Sequence, residues 1–339
     1  MIGKAHSYLV AGFLIGVLVS TSLFAFLVPQ LREAQRSRDD VVLKLAHSLD
    51  QQHPVHQAML HMADRLAELS GGSARIEVFP NGQLGSEVEC IEQLQRGALD
   101  MTKTSTAALE GFVPEFAIFG VPFLFRDEQH AWEVYDGALG KELLHSGREV
   151  GLSGLCFYDA GARSFYTVDK PVLKPEDLKG QKIRVQESKT AMELVEALGG
   201  SPTPMNFGEL YTGLQQSMVD GAENNPPSFY SNRHFEVCKH YSLDEHSRVQ
   251  DILLITHSVW NRLSPDIQAW LQEAADESAA FKRQLWQEKT AEVLESVQEK
   301  GVTVYRPDRA PFVAKVKPML DAYQGTRIGE LIQRIQGTP

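Results

Sequence analysis

Apolar residues recur with two different periods along the chain, and these periods divide it into strands and helices. Residues 41–45 form an apolar-rich run with the length of a buried strand. Residues 54–70 repeat apolar side chains at the spacing of one helix face, and a strand over 74–79 follows. A helix over 86–97 leads into a strand over 98–104. This β-α-β-α-β order with short connections predicts a parallel sheet.

A second series of strands and helices follows in the rest of the chain. The strand at 251–256 is an unbroken apolar run, and we expect it to return to the first sheet. The pattern predicts strands over 152–158, 164–168, 181–186, 251–256 and 302–305, and helices near 128–135, 141–150, 188–198, 207–217 and 311–323.

One helix is predicted to be far longer than the others. No Pro or Gly occurs from Asp266 to Lys300, and apolar positions continue along the whole stretch. At ~1.5 Å per residue this helix is roughly 50 Å long, which exceeds the width of a small domain. Because 339 residues favour two domains, we expect this helix to pack across both.

The N-terminus carries an apolar segment. Residues 7–30 contain no charged side chain and are long enough to span the ~30 Å hydrocarbon core of a bilayer. We predict an export segment within residues 1–40, either a signal peptide that is cleaved or an anchor that is retained. Either outcome places the body of the protein outside the cytoplasm.

Charge and motifs exclude several function classes. The formal net charge of −11 and the absence of a Lys/Arg run argue against nucleic-acid binding. The sequence contains no nucleotide-binding or hydrolase motif, and we predict no cofactor and no metal site. His53, His56 and His61 fit a solvated helix surface better than a metal site. The three cysteines lack ligand spacing, and their odd number leaves at least one thiol unpaired.

Polar residues at the second series of strands form a binding pattern instead. On the predicted strand Lys182-Ile183-Arg184-Val185-Gln186, Arg184 and its alternate neighbours face away from Ile183 and Val185. Its planar guanidinium suits a carboxylate, although an exposed strand with one wet face is the simpler interpretation.

Further polar groups are expected near this strand. Arg163 opens the preceding predicted strand, and adjacent strands lie ~4.8 Å apart, so both guanidiniums could face one anion. Asn206-Phe207 begins a helix, whose N-terminus favours negative charge. Asn224 and Asn225 precede two prolines in a polar kink and offer amides to hydroxyls. The combination predicts a polar ligand with one carboxylate and several hydroxyls.

The same residues resemble those of substrate-binding proteins of tripartite ATP-independent periplasmic (TRAP) transporters, the DctP family. The similarity covers about residues 41–323, and the order and spacing of its segments are specific as a set. The segments are Gln83-Leu84-Gly85, Leu178-Lys179-Gly180 with Lys182-Ile183-Arg184-Val185, Pro202-Thr203-Pro204-Met205, and Val219-Asp220-Gly221-Ala222-Glu223-Asn224.

The resemblance implies an α/β, two-domain periplasmic-binding-protein-like fold with a long helix spanning both domains. We assign 41–161 and 250–289 to domain I, and 162–249 and 290–339 to domain II. The two domains would close on an organic acid, and the receptor would deliver it to membrane subunits of the transporter.

The resemblance also implies roles for individual residues. Arg184 would pair with the substrate carboxylate, with Arg163 and Asn224 supporting it and Phe207 packing on the ligand. Glu87 falls where acidic members contact hydroxyls. Sialic-acid binders of the family carry a Glu where this chain has Ser105, with Lys103 nearby, which argues against sialic acid. The complete set of expected ligand contacts is Arg184, Arg163, Asn224, Phe207, Glu87, Lys103 and Asn225.

The local sequences favour a sugar acid such as a hexuronate or aldonate, and a C4-dicarboxylate is the second candidate. Two other classes remain as alternatives to a transport receptor. A Cys/His hydrolase would need a geometry that sequence does not reveal. A sensor or interaction protein would need an extracytoplasmic partner, which a retained N-terminal anchor would permit.

Overall fold

The structure is a computed structural model that describes residues 40–339, so the predicted N-terminal export segment lies outside the described residues. Two β-sheets organise this part of the chain. Its strands are β1 (Val41–Ala46), β2 (Ala74–Phe79), β3 (Met101–Ser105), β4 (Leu152–Tyr158), β5 (Arg163–Thr167), β6 (Lys182–Val185), β7 (Ser201–Pro204), β8 (Gly221–Asn224), β9 (His240–Ser247), β10 (Asp251–Thr256) and β11 (Thr303–Tyr305).

Helices cover the sheets and connect their strands. The α-helices found within residues 40–339 are α1 (Pro54–Leu69), α2 (Glu87–Gln95), α3 (Thr106–Leu109), α4 (Glu128–Asp136), α5 (Ala138–His145), α6 (Lys189–Leu198), α7 (Leu210–Gln215), α8 (Pro226–Ser231), α9 (His257–Trp260), α10 (Pro265–Glu299), α11 (Ala310–Asp321) and α12 (Arg327–Gln336). Short 3-10 helices occur at Pro114–Gly120, Arg148–Val150, Pro175–Leu178, Phe207–Glu209 and His234–Glu236. Over this same range, no helix has the combined length and apolarity that a membrane span requires.

The first sheet has the strand order β2-β1-β3-β10-β4. Strand β1 pairs in parallel with β2 and β3, which confirms the parallel sheet predicted from the β-α-β-α-β order. Strand β10 lies antiparallel between β3 and β4, as expected for a strand that returns to this sheet. All six residues of β10 are buried, because both faces of the sheet are covered. We call this sheet and the elements packed on it the first lobe.

The second sheet has the order β11-β9-β5-β8-β6-β7 and forms the centre of the second lobe. Strand β8 separates β5 from β6, so Arg163 and Arg184 do not lie on adjacent strands. The predicted adjacency is therefore wrong. Its cause is β8, a four-residue strand of Gly, Ala, Glu and Asn that carries no β-branched or aromatic side chain and gave no strand signal.

Other elements of the second lobe also escaped prediction. Strand β7 contains two prolines, and the structure places it at the edge of the sheet, where a missing amide is tolerated. The helix predicted over 207–217 is a 3-10 turn followed by the shorter α7. The polar kink after Asn225 continues as helix α8, with Asn225 as its N-cap and Pro at the first position.

The long helix α10 contains 35 residues and begins after Ser264, whose Oγ accepts the Ile267 amide at 3.3 Å. Its first half buries Leu271, Ala274 and Ala275 in the core of the first lobe. Its second half buries Val293 and Val297 in the core of the second lobe. This arrangement confirms that the helix packs across both sheets.

The chain passes between the sheets over residues 159–162 and 248–250, close to the domain boundaries expected from the sequence. Those boundaries stay a prediction, with one correction. Helix α12 buries Leu331 and Ile335 in the core of the first lobe, so 327–336 does not pack with domain II as we expected for 290–339. The helix has a narrow apolar face, which sequence alone cannot assign to one lobe.

Candidate functional site

A cleft between the two lobes contains all seven residues that the sequence pointed to. It consists of two adjoining cavities of about 290 and 30 Å³, both lined by Ser48, Glu87, Gln186 and Phe207. Arg184 lines the larger cavity. The smaller cavity is lined by Lys103, Arg163, Asn224 and Asn225, among others. The cleft thus receives side chains from both sheets, and the ligand contact of each stays a prediction.

Arg184 is fixed on one edge of its guanidinium and unpartnered on the other. Its side chain is buried, at 2% exposure, so the interpretation as an exposed strand with one wet face is wrong. Nε and Nη2 donate to the Met205 carbonyl at 2.9 and 2.7 Å, whereas Nη1 has no hydrogen-bond partner. Burial lowers the pKa of Arg184 below the usual arginine value. A buried cationic edge of this kind suits a carboxylate that enters the cleft.

Arg163, in contrast, has all three guanidinium nitrogens hydrogen-bonded within the protein. Its Nε and Nη2 both bind the Glu223 carboxylate, with 2.7 Å from Nη2 to Oε1. Nη2 also donates to the Glu223 carbonyl at 2.8 Å, and Nη1 donates to Asn224 Oδ1 at 2.9 Å. The geometry therefore gives Arg163 the role of holding Asn224 and Glu223 in place.

His246 extends this buried network. Its Nδ1 lies 2.8 Å from Asp244 Oδ2, and its Nε2 lies 3.6 Å from Glu223 Oε2. Burial alone would lower the pKa of His246, but the two carboxylates outweigh it and raise the pKa to about 9. Burial would raise the pKa of Glu223, but Arg163 and His246 lower it to about 2. The network is thus charged at neutral pH.

Lys103 forms a second closed group of charges on the first-lobe side. Its Nζ lies 3.0 Å from Asp251 Oδ1 and 3.4 Å from Glu87 Oε1. Burial by itself lowers the pKa of Lys103, yet the two carboxylates raise it above the usual value. Glu87 Oε1 also accepts the Ser105 amide at 3.0 Å. The positive charge of Lys103 is therefore compensated before any ligand enters.

The aromatic ring and the amides complete the cleft. Phe207 is half-buried, packs against the cores of both lobes, and has its ring centroid 5.7 Å from Arg184 Cζ. Asn224 Oδ1 accepts the Asn225 amide, and Asn225 Oδ1 accepts the Ser228 amide, both at 2.9 Å. The side-chain oxygens of Asn224 and Asn225 thus have partners within the described residues, so their side-chain NH2 groups are the ends left to bind a ligand.

Several residues of the site were missed at the level of sequence. The Met205 carbonyl is a backbone group and carries no sequence signal. Glu223 stood next to Asn224 in the motif, but its pairing with Arg163 depends on the unpredicted strand β8. His246 lies on β9, which also escaped prediction. Asp244, two positions earlier, was the one feature of the sequence that could have indicated a paired histidine.

The histidine prediction needs correction. His53 and His56 are buried rather than solvated, and His47 Nε2 lies 3.0 Å from Nδ1 of His56. They are buried because α1 packs against both the first sheet and α10, and because His53 also faces Ser228 and the Trp286 ring; helix periodicity alone did not reveal these contacts. Residues 40–339 contain no group of three or more His, Cys, Asp or Glu side chains arranged to hold a metal ion.

The three cysteines Cys90, Cys156 and Cys238 are free and buried. Burial raises the pKa of the Cys90 thiol to about 11, so little thiolate forms at neutral pH. The three cysteine side chains pack in the hydrophobic cores of the two lobes.

Residues 45–326 match the family "Bacterial extracellular solute-binding protein, family 7", DctP. The chain belongs to this family. Its members are transport receptors and catalyse no reaction, and TRAP receptors of this type work with membrane subunits. The family is an extracellular one, which places the protein outside the cytoplasm, in the periplasm.

Solved structures of similar proteins carry sugar acids. A TRAP periplasmic solute-binding protein from Bradyrhizobium sp. BTAi1, in complex with D-galacturonate, is 43% identical, with a TM-score of 0.85 over 87% of this chain and 99% of that one. Another from Xanthobacter autotrophicus Py2, with bound β-D-galacturonate, is 41% identical, with a TM-score of 0.85 over 88% and 100%. The C4-dicarboxylate-binding periplasmic protein DctP of Rhodobacter capsulatus is 29% identical over 93% of this chain and 95% of its own.

Proposed function

We propose that this protein is the solute receptor for a hexuronate, with galacturonate as the first candidate. The observation that carries the proposal is the free edge of Arg184 in a cleft whose other cations are already paired. A hexuronate offers one carboxylate for that edge and several hydroxyls for the remaining polar groups. The similarity to two galacturonate-bound receptors supports the same ligand class.

The charges of the cleft favour a monoacid over a dicarboxylate. Of the cations that line the cleft within residues 40–339, Arg184 is the one without a carboxylate partner. The larger cavity also presents the carboxylates of Glu87, Glu89, Glu187 and Glu209. A second ligand carboxylate would meet these groups without a free cation, and like charges in contact are costly. Carboxylates accept hydrogen bonds from hydroxyls instead.

Binding and lobe closure are coupled in this proposal. The acid enters between open lobes and forms a forked pair with Arg184, and Asn224 and Asn225 donate amide hydrogens to oxygens of the ligand. The pair strengthens as closure excludes water. Because the ligand contacts both lobes, binding shifts the equilibrium to the closed form. That form is presented to the membrane subunits.

We also propose that the N-terminal segment directs export and that the mature body begins near residue 41. N-terminal sequencing of the exported protein distinguishes a cleaved signal from a retained anchor. A cleaved product releases a free periplasmic receptor, and an intact N-terminus in the membrane fraction identifies a tethered one.

A ligand panel tests the function. Thermal unfolding with galacturonate, glucuronate, galactonate, galactarate, succinate and neutral galactose ranks the classes, because a ligand that binds only the native state raises the melting temperature. We expect the uronates to give the largest shifts, and calorimetry to give a stoichiometry of one with the sugar recovered unchanged. A larger shift with succinate or galactarate would overturn the proposal, and chemical turnover would restore the hydrolase alternative.

A further inference from the structure

One carboxylate joins the two lobes at the edge of the cleft. Glu110 follows α3 in the first lobe, and its side chain binds the start of α6 in the second lobe. It accepts hydrogen bonds from Ser188 Oγ, from Thr190 Oγ1 at 2.9 Å and from the Thr190 amide at 3.2 Å. Ser188 and Thr190 are buried, at 3% and 2% exposure. Three donors of one lobe thus depend on an acceptor from the other.

The start of α6 needs these partners. Ser188 Oγ is the N-cap, where it accepts the Ala191 amide at 3.0 Å and donates its own hydrogen to Glu110. The Thr190 amide belongs to the first turn, where helix geometry provides no acceptor. A negative charge is also favourable at a helix N-terminus. Glu110 therefore supplies, from the other lobe, the hydrogen-bond acceptor that the first turn of α6 lacks.

This contact adjoins the walls of the ligand cleft without forming part of them. Gln186 and Glu187 line the larger cavity, and Ser188 is the next residue along the chain. Ala108, two residues before Glu110, lines the opposite wall. Strand β6, which carries Arg184, leads directly into α6. The Glu110 contact consequently links the first lobe to the segment that follows β6, and it forms only when the two are close together.

We propose that Glu110 is a closure latch, a positioning residue that stabilises the closed arrangement and thereby sets ligand affinity without touching the ligand. The proposal rests on the proposed function, because it requires a ligand whose binding is coupled to closure. The contact between His53 Nε2 and Ser228 Oγ, at 3.2 Å, also crosses between the lobes, but Ser228 lines the cleft itself.

The latch has a consequence that separates it from a ligand contact. Apparent affinity falls in proportion to the fraction of receptor that can close. Loss of the latch therefore weakens every ligand by the same factor and leaves their ranking unchanged. A residue that touches the sugar would change the ranking, since each ligand presents different groups to it.

Glu110→Gln provides the test, with Glu149→Gln as the matched control, because Glu149 is an exposed glutamate of the same lobe. Since hydrogen bonds to a charged group contribute about 1.5–3 kcal/mol, we expect affinities about 10- to 100-fold weaker in Glu110→Gln, by one common factor for galacturonate and glucuronate. Thr190→Val removes one donor at constant shape. Thr190→Val should weaken binding less in the Glu110→Gln background than in the wild type, because the two substitutions break the same contact.

Pulsed electron paramagnetic resonance measures closure directly. Spin labels at Leu60→Cys and Leu173→Cys sit on exposed positions of the first and second lobe, and the native cysteines are buried. Glu110→Gln should shift the ligand-free and partly saturated distance distributions toward the open form. Unchanged distances with unchanged affinity overturn the latch, as does a change in ligand ranking. If the wild type binds no sugar acid, the proposed function fails instead.

Discussion

The main-chain oxygen of Met205 accepts two hydrogen bonds from Arg184, at 2.9 Å from Nε and 2.7 Å from Nη2. Met205 is itself tied to β6, because its amide donates to the Val185 carbonyl at 3.2 Å. The guanidinium is thus oriented, before a ligand arrives, by the residue that directly follows the neighbouring strand β7. A preoriented donor loses little freedom on binding, which favours affinity.

Substitution of Arg184 should abolish tight binding. We expect Arg184→Ala to lose about 2–5 kcal/mol of binding free energy, because the ligand carboxylate would be buried without a partner. Arg184→Lys should also bind weakly, since an ammonium cannot form the fork and cannot keep both bonds to Met205. Calorimetry with galacturonate measures the effect, with exposed Arg75→Ala as control. Affinity of Arg184→Ala within about threefold of wild type, ~0.7 kcal/mol, would contradict this role.

The two arginines should differ in their effects on the ligand-free protein. Arg163→Ala removes the hydrogen-bonded partner of the buried Glu223 and leaves it with His246 at 3.6 Å, which we expect to lower the free energy of unfolding by about 3–5 kcal/mol. The double variant Arg163→Ala/Glu223→Ala should recover part of this loss. Arg184→Ala removes a buried cation that has no carboxylate partner and should leave stability nearly unchanged. Urea unfolding of the ligand-free variants measures these free energies of unfolding. Equal losses of stability in Arg163→Ala and Arg184→Ala would show that the two arginines do not differ in this way.

Glu87 should contribute to the rejection of dicarboxylates. Its carboxylate lines both cavities, so a second acid group on the ligand would meet a like charge. In Glu87→Gln we expect the preference for galacturonate over galactarate to fall by roughly tenfold or more, since like-charge contacts cost several kcal/mol. Competition calorimetry with both acids measures this ratio, and Glu149→Gln should leave it unchanged. An unaltered ratio would remove Glu87 from the specificity argument.

The buried His246 should make stability depend on pH. Its pKa is about 9 in the folded protein and 6.5 for an ordinary histidine. The raised pKa stabilises the fold fully below pH 6.5, and this contribution is lost as pH rises through 9. Each unit of difference corresponds to about 1.4 kcal/mol.

Urea unfolding of wild type and His246→Gln at pH 6, 7.5 and 10 tests this dependence. The stability gap between them should be largest at pH 6 and should narrow toward pH 10. A gap that is constant over this range would mean that His246 does not bind the extra proton.

Much of the first lobe and the long helix could be predicted because their signals are local. A continuous apolar run identified β10, and the absence of Pro and Gly identified α10 to within one residue at each end. Strand alternation also placed Arg184 opposite Ile183 and Val185. These features depend on the period of a single element, which the sequence contains in full.

The partners of those elements were decided by the tertiary structure. Strand β8 has no strand-like composition, yet it separates β5 from β6 and brings Glu223 to Arg163. The contact between Glu110 and Ser188 was likewise decided by the tertiary structure, because these residues are far apart in sequence and meet only where the two lobes approach each other. Sequence by itself determined most elements of the first lobe and the long helix, and it singled out Arg184 as the candidate partner of an acid. Tertiary packing alone decided which charges are compensated, because the pairing of buried charges depends on long-range strand order and burial that no local period encodes.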